Sequence, residues 1–142
     1  MSHFTYLFDT NILSELIRQP SGPLAQKIVA LDETSFCTSI IVACELRYGA
    51  RKKGSASLIN KVERLLANMI VKPFENDADH YYAALRVALE KKGQPIGAHD
   101  MLIASHALAL EATLVTANER EFTRIPKLKV ENWLLEPVGY SQ

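Results

Sequence analysis

Asp9, Glu45 and Asp100 are charged residues set in otherwise apolar surroundings: Tyr6-Leu7-Phe8-Asp9-Thr10-Asn11, Ile40-Ile41-Val42-Ala43-Cys44-Glu45-Leu46 and Gly97-Ala98-His99-Asp100-Met101-Leu102-Ile103-Ala104. A charge pressed against a core shifts its pKa or is neutralised, and carboxylates brought together repel one another. A cation among them relieves both costs. Hard oxygen donors of this kind suit Mg²⁺ or Mn²⁺. Such an ion beside a phosphodiester can polarise the phosphoryl oxygen, acidify an attacking water and steady the leaving oxygen. The three acids therefore point to metal-dependent phosphodiester hydrolysis, with Asp9 and Asp100 as metal ligands and Glu45 positioning the water.

Each acid has a plainer reading beside this one. Asp after an apolar strand is common as a turn former or helix cap, so Asp9 could simply start the segment Asn11-Ile12-Leu13. Glu45 could pair with Arg47 or Arg51. Asp100 as a cap would stabilise its helix by about 1 kcal/mol. Asn11, Ser39 and Thr116 lie beside apolar strands and suit either local capping or the orientation of Asp9 and its waters. His99 adjoins Asp100, and His3, His80 and His106 form no ligand spacing.

The elements that must position these residues alternate along the chain. Phe4 to Phe8 is a nearly continuous apolar run, as expected of a strand buried on both faces. Helical spacing follows over Ile12 to Arg18, stopped by Pro20-Ser21-Gly22-Pro23, and again over Leu24 to Leu31. Ser35 to Thr38 reads as a second strand. Ser39 caps a helix that Gly54 ends after Lys53. Leu58, Val62, Leu65, Leu66 and Met69 form one helical stripe. Met69 to Phe74 is a third strand. Asn76 or Asp77 caps a helix running to Gly93, and Asp100 opens another through Leu110. Thr113 to Thr116 and Lys129 to Trp133 complete the strands. Alternation of this kind predicts one α/β domain over 1–142, with a mainly parallel four- to five-stranded sheet and helices on both faces. In such sheets ligands bind beyond the carboxyl ends of the strands, where Asp9 and Asn118 would both lie.

The chain has 142 residues, one ordinary domain in length, of which 48% are hydrophobic and 23% charged. Sixteen basic residues balance sixteen acidic ones, so the field that would attract a polyanion must be local. Two clusters could supply it: Arg47, Arg51, Lys52 and Lys53, and Arg120, Arg124, Lys127 and Lys129. No apolar run is long enough to span a membrane, and the first residues do not read as a signal peptide, so the expected compartment is the cytoplasm. Cys37 and Cys44 match no zinc spacing and read as buried, reduced, structural thiols. Trp133, Tyr81 and Tyr82 read as core or dimer contacts.

Taken in order, Phe8-Asp9-Thr10-Asn11-Ile12-Leu13-Ser14, Cys44-Glu45-Leu46-Arg47-Tyr48-Gly49, Asp100-Met101-Leu102-Ile103-Ala104 and Leu114-Val115-Thr116-Ala117-Asn118-Glu119-Arg120-Glu121-Phe122 make the chain resemble the PIN-domain ribonucleases, above all the VapC toxins of bacterial toxin–antitoxin pairs. The resemblance covers essentially the whole chain. It implies an α/β/α fold and an RNA-hydrolysing, Mg²⁺- or Mn²⁺-binding cluster matched by Asp9, Glu45 and Asp100. It also implies tRNA or another structured RNA as substrate, a VapB-like antitoxin and a homodimer. Many members carry a fourth acid after the strand-four threonine. Here Ala117 and Asn118 follow Thr116, so the fourth position falls to Asn118 through water, to Glu119, or to neither. Arg47, Arg51 and Arg120 are the candidate RNA contacts, and the segments Lys53 to Leu58 and Gln94-Pro95 the candidate substrate loops.

Rival classes fare worse. A haloacid-dehalogenase-like phosphatase needs a second Asp two residues after the first, where this chain has Asn11. A receiver-type module needs an Asp ending its third strand, and Val71-Lys72-Pro73-Phe74-Glu75 has none. An inactive PIN-like scaffold that binds RNA or protein is the remaining alternative, and the three intact acids weigh against it.

Overall fold

Hydrogen bonding between short apolar runs builds the centre of the molecule. The computed structural model describes residues 4–75 and 77–134. Strands β1 (Tyr6–Phe8), β2 (Phe36–Ser39), β3 (Val71–Lys72), β4 (Thr113–Val115) and β5 (Val130–Glu131) form one sheet in the order β3-β2-β1-β4-β5, with every pairing parallel. Parallel neighbours need long crossovers, usually helical. These are α1 (Thr10–Arg18) and α2 (Pro23–Val29), α3 (Ile40–Lys53) and α4 (Ala56–Ala67), α5 (Ala78–Lys91) and α6 (Ala98–Leu110), and the short α7 (Glu119–Phe122). The α/β fold with a parallel five-stranded sheet is the one expected.

The register places the functional edge. Phe8 is level with Thr38 on one side and Val115 on the other. The next residue of each strand segment is therefore Asp9, Ser39 and Thr116, all three buried. Below them Leu7, Phe8, Cys37, Leu114 and Val115 are fully enclosed, as expected for central parallel strands covered on both faces. Truncating Leu7 to Ala in such a setting costs about 2–5 kcal/mol.

Capping chemistry sets the helix ends. The Ser39 hydroxyl accepts from the Ile41 N–H at 3.0 Å and starts α3, and Ser55 does the same for Leu58 at 3.1 Å in α4. Gly54, at φ 67, ends α3 in the left-handed region that glycine enters without a Cβ penalty. Its N–H returns to the carbonyls of Ala50 and Arg51.

Several local expectations are corrected. Helix α1 begins at Thr10, because Asp9 accepts from the Thr10 N–H and turns the chain at once. Helix α6 begins at Ala98, so Asp100 sits inside its first turn instead of opening it. Asp77 makes no side-chain cap, and Asn76 lies outside the described residues. Strands β3 and β5 span two residues each, since edge strands pair on one side only. Cys37 is buried as expected, with its thiol pushed up to about 12 by desolvation. Cys44 is exposed. Val42, Ala43, Leu46 and Ala50 form the inward stripe of α3, and Cys44 falls on its other face.

Candidate active site

Three chain segments bring carboxylates to the crest of the central strands. Asp9 leaves β1, Glu45 rides on the second turn of α3, and Asp100 rides on the first turn of α6. Together with Thr10, Asn11, Ser14, Arg18, Asn118 and Leu134 they line an open cavity of about 490 Å³. The position beyond the strand ends is the one this sheet type uses for ligands.

Asp9 is held most tightly. One carboxylate oxygen accepts from the Thr10 N–H at 2.7 Å, and the other accepts from the Thr116 hydroxyl at 2.7 Å. Thr116 works as a junction. Its oxygen also receives the Asn118 N–H at 3.0 Å and, at 3.5 Å, the Asn11 amide. Asn11 in turn accepts from the Ala117 N–H at 2.8 Å, tying β1 to the loop after β4. The Thr10 hydroxyl donates to Glu45, and His99 Nδ1 lies 3.1 Å from the other Glu45 oxygen. Asn118 donates to Asp100 at 3.4 Å and to Glu121 at 3.2 Å, spanning two acids.

The electrostatics are those of an uncompensated cluster. Burial pushes the Asp9 carboxyl above its ordinary range; the Thr116 and Thr10 hydrogen bonds oppose the rise and the Glu45 charge adds to it. Asp100 is raised to about 6, first by burial and then by the negative charges of Asp9, Glu121 and Glu45, with His99 opposing. Among the described residues no three His, Cys, Asp or Glu side chains are gathered closely enough to enclose an ion alone. The donor set suits a cation that takes one or two carboxylates and completes its shell with water and phosphate, which is the habit of Mg²⁺. Asp9 and Asp100 could hold it.

The remaining candidates divide. Asn11, Thr116 and Asn118 join the site by direct hydrogen bonds. Ser39 does not reach Asp9: its hydroxyl lies 2.8 Å from His106 Nδ1. Arg47 does not meet Glu45 either, because it makes a two-pronged pair with Glu63 of α4, both contacts at 2.9 Å. Arg51 and Arg120 are exposed and outside the cavity lining. Glu119 begins α7, while Glu121, two residues further on, is the acid coupled to Asp100 through Asn118. Sequence reasoning missed Glu121 and Arg18. The signal for Glu121 was its spacing: a short helix returns residue i+3 to the side of its cap, Asn118. Arg18 lines the cavity as a cation paired with Glu15 of its own helix.

Comparison with known proteins agrees with this architecture. Residues 6–128 match the family model of the PIN domain, and the chain belongs to the PIN-domain family. Ribonuclease VapC2 of Rickettsia felis is 40% identical over 130 residues, 90% of this chain and 97% of that protein. The tRNA(fMet)-specific endonuclease VapC of Salmonella typhimurium is 31% identical, over 90% of this chain and 97% of that one. Within the family the chain thus falls among the VapC ribonucleases. A crystal structure of VapBC2 from Rickettsia felis bound to a promoter DNA fragment superposes with a TM-score of 0.84 at 38% identity, covering 92% of this chain and 99% of that one. DNA-bound VapBC from Salmonella typhimurium gives 0.82 at 31% identity, over 92% and 98%.

Proposed function

We propose that this chain is a divalent-metal-dependent endoribonuclease and the toxin of a type II toxin–antitoxin pair. The observation that carries the chemistry is the meeting of Asp9, Glu45 and Asp100 in one cavity, with Asp9 raised by burial and the Glu45 charge, and Asp100 by burial and the charges of Asp9, Glu121 and Glu45. Asp9 and Asp100 would hold Mg²⁺ or Mn²⁺. The ion supplies charge neutralisation at the phosphate and acidifies water. Thr116 and the Thr10 N–H fix both oxygens of Asp9, so its orientation is set before substrate arrives. Glu45, held by the Thr10 hydroxyl and His99, would orient the attacking water and take its proton. Water attack leaves a 5′-phosphate and a 3′-hydroxyl. Asn118 and Glu121 border Asp100 where many family members carry a fourth acid, and Glu121 fits that role better than Glu119.

Tight relatives named as ribonucleases, one of them tRNA(fMet)-specific, support structured RNA, tRNA foremost, as the substrate. Neighbouring VapBC complexes support a VapB-like antitoxin. A groove of about 580 Å³ between α1, α3 and α4 shares Thr10, Ser14, Arg18 and Glu45 with the carboxylate cavity and offers room for such a partner's segment. Exposed Tyr81 and Val87 on α5 suit a contact between two copies. No helix among the described residues is long and apolar enough to cross a membrane.

The test is cleavage of a tRNA pool by the purified protein in Mg²⁺, Mn²⁺ or EDTA, alongside Asp9→Asn. Metal-dependent cutting lost in the variant, with 5′-phosphate ends, is expected. Cutting that survives both EDTA and the substitution, or a 2′,3′-cyclic end, would overturn the mechanism.

A further inference from the structure

Beside the carboxylate cavity lies a second one, of about 490 Å³, lined by Cys44, Glu45, Tyr48 and His99. Glu45 lines both. The second cavity has a different chemical character. Its charged group, Glu45, faces the first cavity as well, and the rest is a thiol, a phenol ring and an imidazole. Tyr48 is 64% exposed. The Lys52 ammonium sits 5.8 Å from its ring centre, one turn along α3. His99 reaches Glu45 through Nδ1 while its side chain stays 70% exposed.

From this juxtaposition we propose that the Cys44–Tyr48–His99 cavity is a nucleobase subsite, in which the base next to the scissile phosphate stacks on Tyr48. The inference rests on the ribonuclease reading and adds to it the group that is recognised beyond the phosphate. Unpaired RNA bases are bound by stacking on aromatic rings, with nearby cations meeting the backbone. The exposed Tyr48 ring, with the Lys52 ammonium over it, lies a single helical turn from the water-positioning carboxylate and offers both. A flat, largely apolar wall also explains why Cys44 is tolerated outside the core. Stacking accepts any base, so this subsite contributes affinity and register, while base identity would be read by polar edges such as His99.

The test uses the full chain and the RNA whose cut is mapped from the tRNA pool. Michaelis parameters are compared for wild type, Tyr48→Phe and Tyr48→Ala, on that RNA and on copies carrying an abasic nucleotide at each position flanking the cut. Tyr48→Ala should raise KM on the order of tenfold with kcat little changed, and Tyr48→Phe should behave as wild type. One abasic position should raise KM similarly in wild type and have no further effect in Tyr48→Ala. Unchanged KM in Tyr48→Ala, or effects that add at every abasic position, would overturn the subsite. So would a change in oligomeric state of Tyr48→Ala by light scattering, which would make the ring a subunit contact. A wild-type protein that cuts no RNA in either metal would instead overturn the ribonuclease reading beneath it.

Discussion

Two polar groups of side chains gather near the ends of the same central strands, and they are built on opposite principles. One is the Asp9–Glu45–Asp100 cluster. The other is His106 with Ser39 and Pro73. His106 is 1% exposed on α6. Its Nδ1 lies 2.8 Å from the Ser39 hydroxyl, Ser39 accepts the Ile41 N–H, and the Pro73 backbone hydrogen-bonds the ring. Every donor there has an acceptor, and no net charge is buried. Burial, with the Lys72 charge, pushes the imidazole down to about 4, so it is neutral near pH 7. The carboxylate cluster has its hydrogen bonds too, yet its charge is left unbalanced. A polar group that is satisfied in both respects holds the fold together, whereas one satisfied in hydrogen bonds and not in charge marks a candidate functional site.

Substitutions should separate the two groups cleanly. The largest effect is expected for Asp100→Asn, which should lower RNA cleavage on the order of 10³-fold while the protein remains folded by circular dichroism. Near-wild-type cleavage would remove Asp100 from the chemistry. Next, Thr116→Val breaks the junction that orients Asp9, and about a 10- to 100-fold loss of activity or metal affinity is expected. His106→Leu should do the reverse. Losing the satisfied network costs about 1–3 kcal/mol of stability, read as a lower denaturation midpoint, with cleavage by the folded fraction retained.

The pH dependence of stability sharpens the contrast, measured in EDTA. His106 has a folded pKa of about 4, below its ordinary 6.5. Its contribution is therefore fully present above about pH 6.5 and is lost as pH falls towards 4. Asp100 is raised from 3.8 to about 6, so the folded state is penalised above pH 6 and relieved as pH falls through 6 towards 3.8. The two oppose each other in overlapping windows. Asp100→Asn should accordingly be more stable than wild type at pH 7.5 and should show a steeper loss on acidification. A variant no more stable than wild type at pH 7.5 would mean that the cluster carries no electrostatic strain. The smallest effect is expected for Arg47→Ala, which breaks a half-exposed pair with Glu63 and should cost less than about 1 kcal/mol.

Much of this was legible along the chain, for identifiable reasons. Central parallel strands are apolar on both faces, so Tyr6–Phe8 and Thr113–Val115 stand out as runs, and an acid ending or following such a run is conspicuous. Ser39 and Gly54 announce the ends of α3 because capping and left-handed backbone are local chemistry. What escaped was set by partners distant in sequence. Arg47 faces Glu63 across two helices, sixteen residues apart, and nothing local selects Glu63 over Glu45. Ser39 and His106 are sixty-seven residues apart, so a lone histidine in an apolar helix revealed no role. Cys44 reads as core by its neighbours, and only the inward stripe of α3 shows that it points away. Glu121 escaped because α7, which turns it back towards Asn118, is a single turn with no periodic signature.

The most direct measurement is calorimetric titration of Mn²⁺ into the purified protein near pH 7.5, beside Asp9→Asn and His106→Leu. Saturable binding in wild type, retained in His106→Leu and weakened at least about tenfold in Asp9→Asn, is the expected result. Binding equally strong in Asp9→Asn, or none in wild type, would contradict the claim that this cluster of carboxylates is built around a cation.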